Sequence, residues 1–110
     1  MKLNPEERFA LIMVFEDNSP LSSEIRTLLD AADVIERKYT GVGFFSIIRF
    51  SKPLIELVGN SQWEWNFRHK KLSHGGSFIC WFEEKDKIIL EAVSHIGKWP
   101  SFNKDDFTEA

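Results

Sequence analysis

Three histidines and a single cysteine are the residues of this chain with the widest range of side-chain chemistry: His69, His74, His95 and Cys80. A zinc site uses Cys or His ligands at short, fixed spacings, such as His-x3-His or a cysteine pair. His69 and His74 are five residues apart, and Cys80 has no partner cysteine. We therefore predict no metal ligands and no cofactor, and we interpret the histidines as loop-edge residues beside glycines.

Acid–base chemistry is favoured at one place, where Glu91, Ser94 and His95 are close in sequence. A carboxylate near an imidazole can exchange protons with a substrate. Cys80 lies in an apolar, strand-like run and is typical of a small core residue, not of a nucleophile. We predict a protein that is not an enzyme, and the alternative is a small enzyme or ligand-binding domain with a Glu91/His95 site.

Acidic residues form clusters in a chain of 110 residues that carries a formal net charge of −3. One cluster lies at a predicted hairpin tip and another follows the second predicted helix. A negative face speeds association with a basic partner and sets specificity. An exposed tryptophan beside it would act as a hot spot. The predicted partner-binding residues are Glu83, Glu84, Asp86, Asp33, Glu36 and Trp99; the alternative is ordinary solvated surface.

Nucleic acid and membrane are not predicted partners. The one basic run, residues 68–71, follows alternating aromatic residues, a combination that can hold single strands. It is a short patch in an acidic chain, and we interpret it as a solvated strand end. No stretch approaches the roughly 20 apolar residues of a membrane span. The lone Cys80 excludes an internal disulfide and favours a cytoplasmic location.

Two helices are predicted at the N-terminal end. Asn4, Pro5 and Glu7 are typical of a capped helix start, which predicts a helix over residues 5–15. Ser19 and Pro20 start a second helix in the same way. That helix has an amphipathic stripe formed by Leu21, Ile25, Leu28, Leu29 and Ala32.

The first strands are predicted after residue 33. Residues 34–39 form a plausible strand, and residues 44–50 carry apolar side chains on both faces, which predicts a central strand buried on both sides. Gly41 and Gly43, on each side of Val42, indicate a bulge or a close backbone approach. A short strand is predicted over residues 54–58 and a turn over residues 59–61.

The later strands are predicted from alternation and turns. Trp63, Trp65 and Phe67 alternate with polar residues. A chain break is predicted at residues 74–76, and a hairpin joins residues 77–83 to residues 87–94. Trp65 and Trp81 are expected in the core. The tail from residue 101 is expected to be partly frayed, and the alternative is that Phe102 and Phe107 dock it. The whole chain, residues 1–110, is predicted to be a single α+β domain with two N-terminal helices packed on an antiparallel meander of about five or six strands.

The C-terminal half has four phrases, at residues 41–45, 74–78, 89–91 and 97–100, which read GVGFF, HGGSF, ILE and GKWP. Over residues 40–100 the chain resembles small bacterial immunity proteins of contact-dependent growth inhibition and related toxin systems. The resemblance implies a cytoplasmic protein that binds a cognate toxin domain, often a nuclease with a basic surface, and blocks its active site. It transfers no binding residues, because immunity interfaces differ from one toxin to the next.

Overall fold

The computed structural model describes residues 1–54 and 62–110, and it has two N-terminal helices followed by a six-stranded sheet. The predicted α+β class is confirmed. The helices are α1 (Pro5–Val14) and α2 (Pro20–Leu28), with short 3-10 turns at Leu29–Ala31 and Lys104–Asp106. The strands are β1 (Asp33–Tyr39), β2 (Gly43–Arg49), β3 (Gln62–His69), β4 (Leu72–Glu84), β5 (Lys87–Ser94) and β6 (Phe107–Glu109).

The start of α1 follows from a capping box. The Asn4 Oδ1 accepts a hydrogen bond from the Glu7 amide at 2.7 Å, and the Glu7 Oε1 accepts one from the Asn4 amide at 2.9 Å. Pro5 occupies the first helical position, where its missing N–H costs nothing. The helix ends at Val14, one residue before the predicted end.

The second helix is also confirmed, with Ser19 capping the Ser22 amide at 3.2 Å. Its Arg26 donates hydrogen bonds to the carbonyls of Phe15 and Asp17, so α2 satisfies backbone groups that the end of α1 leaves free. The predicted stripe faces the core: Leu21, Ile25, Leu29 and Ala32 are buried and Leu28 is half-buried.

The sheet is antiparallel with the order β1-β2-β5-β4-β3-β6, so it is not the simple meander that was predicted. β3, β4 and β5 form a meander, but the β1–β2 hairpin adds beside β5. After β2 the chain is held against the β4–β5 turn by two backbone hydrogen bonds, from Phe50 to Asp86 and from Leu54 to Lys85, each 2.8 Å. The strand predicted at residues 54–58 and the turn at 59–61 lie, apart from Leu54, outside the described residues.

The two faces of the sheet differ. The helix face is the one that α1 and α2 cover, and it contains most of the aromatic core. Phe9 of α1 packs against Trp65 and Phe78, and Phe15 packs against Trp63. The predicted alternation in β3 is confirmed, because Trp63, Trp65, Phe67 and His69 are buried on this face.

β2 is not buried on both sides, contrary to the prediction. Phe44 and Ile48 are buried on the helix face, but Phe45 and Ile47 are only half-buried on the other. Both helices pack on one side of the sheet. Within residues 1–54 and 62–110, an apolar pattern on both faces of β2 is therefore not accompanied by a second covering layer.

Glycine allows a close contact between β2 and β5. A Cβ on Gly43 would lie 1.7 Å from the Ala92 carbonyl oxygen, so this position excludes any larger residue. The predicted close backbone approach is confirmed. The chain break predicted at residues 74–76 is wrong, because those residues lie inside β4, where Gly75 adopts a positive φ of 63° and approaches the Phe67 carbonyl.

The tail is ordered, contrary to the expected fraying. β6 pairs with β3, and Phe107 is buried against Phe67 and Phe78 with ring centroids 4.8 and 5.6 Å away. The prediction that aromatic residues could dock the tail is thus the correct one. His69 lies at the end of β3 beside the turn at residues 70–71, as predicted, but it is buried, and its Nδ1 accepts from the Lys71 amide at 2.9 Å.

Candidate protein-interaction face

The open face is the side of the sheet turned away from the helices, and its centre is apolar. Antiparallel sheets with one covered face usually present polar residues on the other. Here three adjacent strands, β2, β5 and β4, each contribute two apolar side chains, all half-buried. These residues are Phe45, Ile47, Ile89, Val93, Ile79 and Trp81.

The strand register aligns these side chains in rows. Phe45 lies opposite Glu91, which lies opposite Ile79. In the next row Ile47 lies opposite Ile89, which lies opposite Trp81. Directly opposed side chains on one face are roughly 5 Å apart at Cβ, so Ile47, Ile89 and Trp81 are neighbours across the sheet. Phe45 and Ile79 flank Glu91 in the other row, and Val93, opposite Gly43 and Ser77, lies diagonally from both. The six apolar residues thus form a patch around Glu91.

Polar residues surround this patch. Glu36 and Lys38 of β1 lie on one flank and Glu64 of β3 lies on the other, all exposed. Arg49 of β2 and Lys87 of β5 lie opposite each other at one end of the patch. An apolar centre with a polar rim is the usual anatomy of a protein–protein interface.

Glu91 is the exception within the apolar centre. Its neighbours across the strands are Phe45 and Ile79, and its same-face neighbours along β5 are Ile89 and Val93. Its carboxylate has no hydrogen-bond or ion-pair partner in residues 1–54 and 62–110. It lines a depression of about 470 Å³ together with Gln62, Ile79, Trp81 and Phe82.

The predicted grouping of Glu91, Ser94 and His95 is not formed. Ser94 points to the helix face, where it is buried and donates to the Gly97 carbonyl, whereas Glu91 is on the open face. His95 lines a different depression, of about 580 Å³, than the one that Glu91 lines. The geometry therefore does not bring the carboxylate and the imidazole to one site.

His95 instead belongs to a hydrogen-bond network that sequence spacing did not reveal. Its Nε2 is 3.1 Å from the Ser77 Oγ, and its Nδ1 is 3.0 Å from the His74 carbonyl oxygen. The Ser77 Oγ also donates to the Asn66 Oδ1 at 2.6 Å. These contacts join β3, β4 and the end of β5, and only the register of the strands brings them together.

Cys80 is a core residue, as predicted. It is fully buried between β3 and β5, opposite Trp63 and Leu90. Burial raises the pKa of the thiol far above its ordinary value, because the low-dielectric surroundings disfavour the thiolate. The thiol therefore stays protonated at neutral pH and is not a nucleophile.

The predicted acidic residues lie at one end of the sheet without forming one negative surface. Glu83 and Glu84 are exposed at the β4–β5 tip, and Asp86 there is half-buried. Asp33 and Glu36 are exposed on β1. Two cations, Arg49 and Lys87, lie between Asp33 and the tip residue Glu84 in the same row of the sheet. The cross-strand pairs in that row are Asp33–Arg49, Arg49–Lys87 and Lys87–Glu84.

Trp99 is not the exposed hot spot that was expected. It is half-buried and packs edge-on against Phe44, Phe67 and Phe78 of the helix face. Its indole N–H donates to the Glu6 Oε2 at 2.9 Å. Trp99 therefore closes the end of the core.

Trp81 is the tryptophan of the open face, although it was expected in the core. It is half-buried, and it has no ring contact or hydrogen bond within the described parts of the chain. Trp65 is in the core, as predicted. The sequence signal for Trp81 was its alternation with Phe78 and Cys80, which places it and Ile79 on the opposite face.

Two adjacent glutamates in the first turn of α1, Glu6 and Glu7, have different environments. Burial raises the pKa of Glu6, only partly offset by the hydrogen bond from Trp99. Burial also acts to raise the pKa of Glu7, but hydrogen bonds from Arg37, Ser46 and the Asn4 amide outweigh it, so the net pKa is below its ordinary value. The Arg37 guanidinium donates hydrogen bonds to both carboxylate oxygens of Glu7, and its Nε is 2.9 Å from Oε2.

Comparison with protein-family models, curated proteins and solved structures gives no match to this chain. Among residues 1–54 and 62–110, no three His, Cys, Asp or Glu side chains are grouped so as to hold a metal ion. No helix in those same ranges has the length and hydropathy needed to cross a bilayer.

Proposed function

We propose that this protein is a toxin-neutralising immunity protein, a binder and not an enzyme, and that it contacts its toxin domain through the open face. The observation that supports this is the apolar centre of that face. Exposed apolar patches of this kind mark interaction sites, because water contact with them is unfavourable. Trp81 supplies the large aromatic anchor that such interfaces favour.

The charge of the open face and its rim indicates the kind of surface that the partner presents. Among the described residues, charged side chains on the open face and at the β4–β5 tip include seven acidic ones against five basic ones. The acidic ones are Asp33, Glu36, Glu64, Glu83, Glu84, Asp86 and Glu91, and the basic ones are Lys38, Arg49, Arg68, Lys85 and Lys87. The chain as a whole is also acidic. A toxin that acts on nucleic acid needs a basic surface for phosphates. Glutamates set in that surface in place of phosphates would block the substrate, and the cytoplasm is where such a block protects the cell.

Co-expression tests this proposal. If a large secreted protein is encoded next to this chain, it supplies the candidate toxin, and we expect its toxin domain to co-purify with this protein and to lose its activity. Trp81→Ala removes the anchor, and we expect the dissociation constant to rise about 30-fold or more.

Ile96→Ala is the matched control, because Ile96 is an exposed apolar residue outside the open face. It should bind the toxin as tightly as the wild type. Equal affinity of the Trp81→Ala variant, with its fold intact by circular dichroism, would contradict binding through the open face. Failure of the wild type to bind or inhibit the neighbouring toxin would contradict the immunity function.

A further inference from the structure

The search for a further site leads to Glu91, because its surroundings differ from those of the other acidic residues. Glu84 has a cation, Lys87, at 3.3 Å, and Glu7 has Arg37. Glu91 has four apolar neighbours and, within the described residues, no cation that pairs with it. A carboxylate in such a place remains favourable only while water reaches it.

A partner that covers the open face removes that water. Burying a carboxylate without a cation or hydrogen-bond donors is strongly unfavourable and would offset the contribution of a good interface residue. The proposed binding mode is therefore consistent with Glu91 only if the partner brings a positive charge to this point. The depression beside Glu91, of about 470 Å³, has room for one long side chain.

The walls of the depression indicate which cation fits. Trp81 lies diagonally from Glu91, at a cross-strand separation of roughly 7–8 Å. Its indole has no aromatic partner in the described residues and lines the depression, where a planar cation can stack on it. Gln62, opposite Trp81 on β3, adds an amide at the rim.

We propose that the depression between Trp81 and Glu91 binds an arginine side chain of the partner protein, an inference that rests on the open face being the toxin-binding face. A guanidinium is planar and stacks on an aromatic face while its N–H groups donate in a fork to a carboxylate. A lysine ammonium is a strongly hydrated point charge that uses the fork geometry less well. The site should therefore prefer arginine to lysine.

Isotope-labelled full-length protein and a blocked arginine, Nα-acetyl-arginine N-methylamide, provide the test. We expect saturable chemical-shift changes at the Trp81 indole N–H and the amides of Ile79 and Glu91. The matched lysine derivative should bind several-fold more weakly, and the citrulline derivative, an uncharged isostere of arginine, should give no saturable changes.

Glu91→Gln should weaken arginine binding about tenfold or more, because it removes the charge from the hydrogen bond acceptor. Glu16→Gln is the control, since Glu16 is an exposed glutamate between α1 and α2, outside the open face. It should leave binding unchanged.

Three results would overturn the inference. They are equal binding of arginine and citrulline, equal binding by the Glu91→Gln variant, and the absence of localised shifts up to the solubility limit of the arginine derivative. If Glu91→Gln only increased self-association, the carboxylate would be a solubility device on an uncovered sheet face. Toxin binding with none of these arginine effects would leave the proposed function intact, whereas arginine binding without toxin binding would contradict only the function.

Discussion

Glu7 of α1 is fully buried against the helix face of the sheet. Arg37, Ser46 and the Asn4 amide all donate to its carboxylate. On the open face, Glu91 is surrounded by apolar side chains and has no such donors within residues 1–54 and 62–110. Both positions combine a carboxylate with apolar neighbours. The chain supplies the counter-charge on the helix face, and on the open face we propose that another protein supplies it.

The same comparison applies to the apolar residues. Alternate residues of β5 point to opposite faces, so Ile88 is fully buried while Ile89 is half-buried. The first stabilises the fold, and the second is available to a partner. Adjacent isoleucines therefore allow folding and binding to be tested separately.

The largest effect is expected from these isoleucines. Ile88→Ala should lower the free energy of unfolding by about 3 kcal/mol or more, because it leaves a cavity in a close-packed core. Ile89→Ala should lower it by less, about 1–2 kcal/mol, because its side chain is only half-buried and its truncation leaves no enclosed cavity. Urea unfolding of both variants measures the difference; equal losses would show that the open face is as important to the fold as the helix face.

The next largest effect on stability is expected at the two glutamates in the first turn of α1. Glu7→Gln should destabilise the protein by about 2–3 kcal/mol, because Arg37 and Ser46 lose a charged acceptor. Glu6→Gln should change stability by less than about 1 kcal/mol, since an amide oxygen can still accept from the Trp99 indole. Thermal unfolding measures the stability of the two variants. A larger loss of stability in Glu6→Gln than in Glu7→Gln would contradict the view that Glu7 is the stabilising carboxylate of the pair.

The pH dependence of stability should separate the same two residues. The pKa of Glu7 is lowered in the fold, so its contribution is present above its unfolded value, about 4.5, and is lost as pH falls through the folded pKa. The pKa of Glu6 is raised, so its contribution is present below about 4.5 and is lost as pH rises through the folded pKa. Glu7→Gln should flatten the acid side of the stability curve and Glu6→Gln the side above it; the reverse pattern would contradict both directions.

The smallest effect is expected at the β4–β5 tip. Reversing the charges of Glu83, Glu84 and Asp86 to lysine should slow association with a basic toxin by up to about tenfold at low salt and reduce its salt dependence. Stability should change little, because Glu83 and Glu84 are exposed. Stopped-flow association measures the rate, and unchanged kinetics would remove the tip from the interface.

Local chemistry explains what the sequence could predict. Asn4, Pro5 and Glu7 specify the start of α1 through contacts within four residues, and the alternation of Trp63, Trp65 and Phe67 specifies a one-sided strand. The α+β class followed from these elements.

Non-local packing explains what the sequence could not predict. Whether β2 is covered on both faces depends on a layer that its own residues do not encode, so Phe45 and Ile47 were expected to be buried. Trp99 was expected to be exposed because it follows the last strand of the hairpin, yet the loop folds back and its backbone amide bonds the Gly41 carbonyl at 2.9 Å. The open face became visible as a candidate site only when the strand order was known.

Isoleucine methyl groups test the central claim most directly. In a cross-saturation experiment with the unlabelled toxin domain, we predict attenuation at Ile47, Ile79 and Ile89 and none at their buried neighbours Ile48 and Ile88. Attenuation confined to the exposed isoleucines outside the open face, Ile12 and Ile96, would show that the toxin binds elsewhere and would contradict the account.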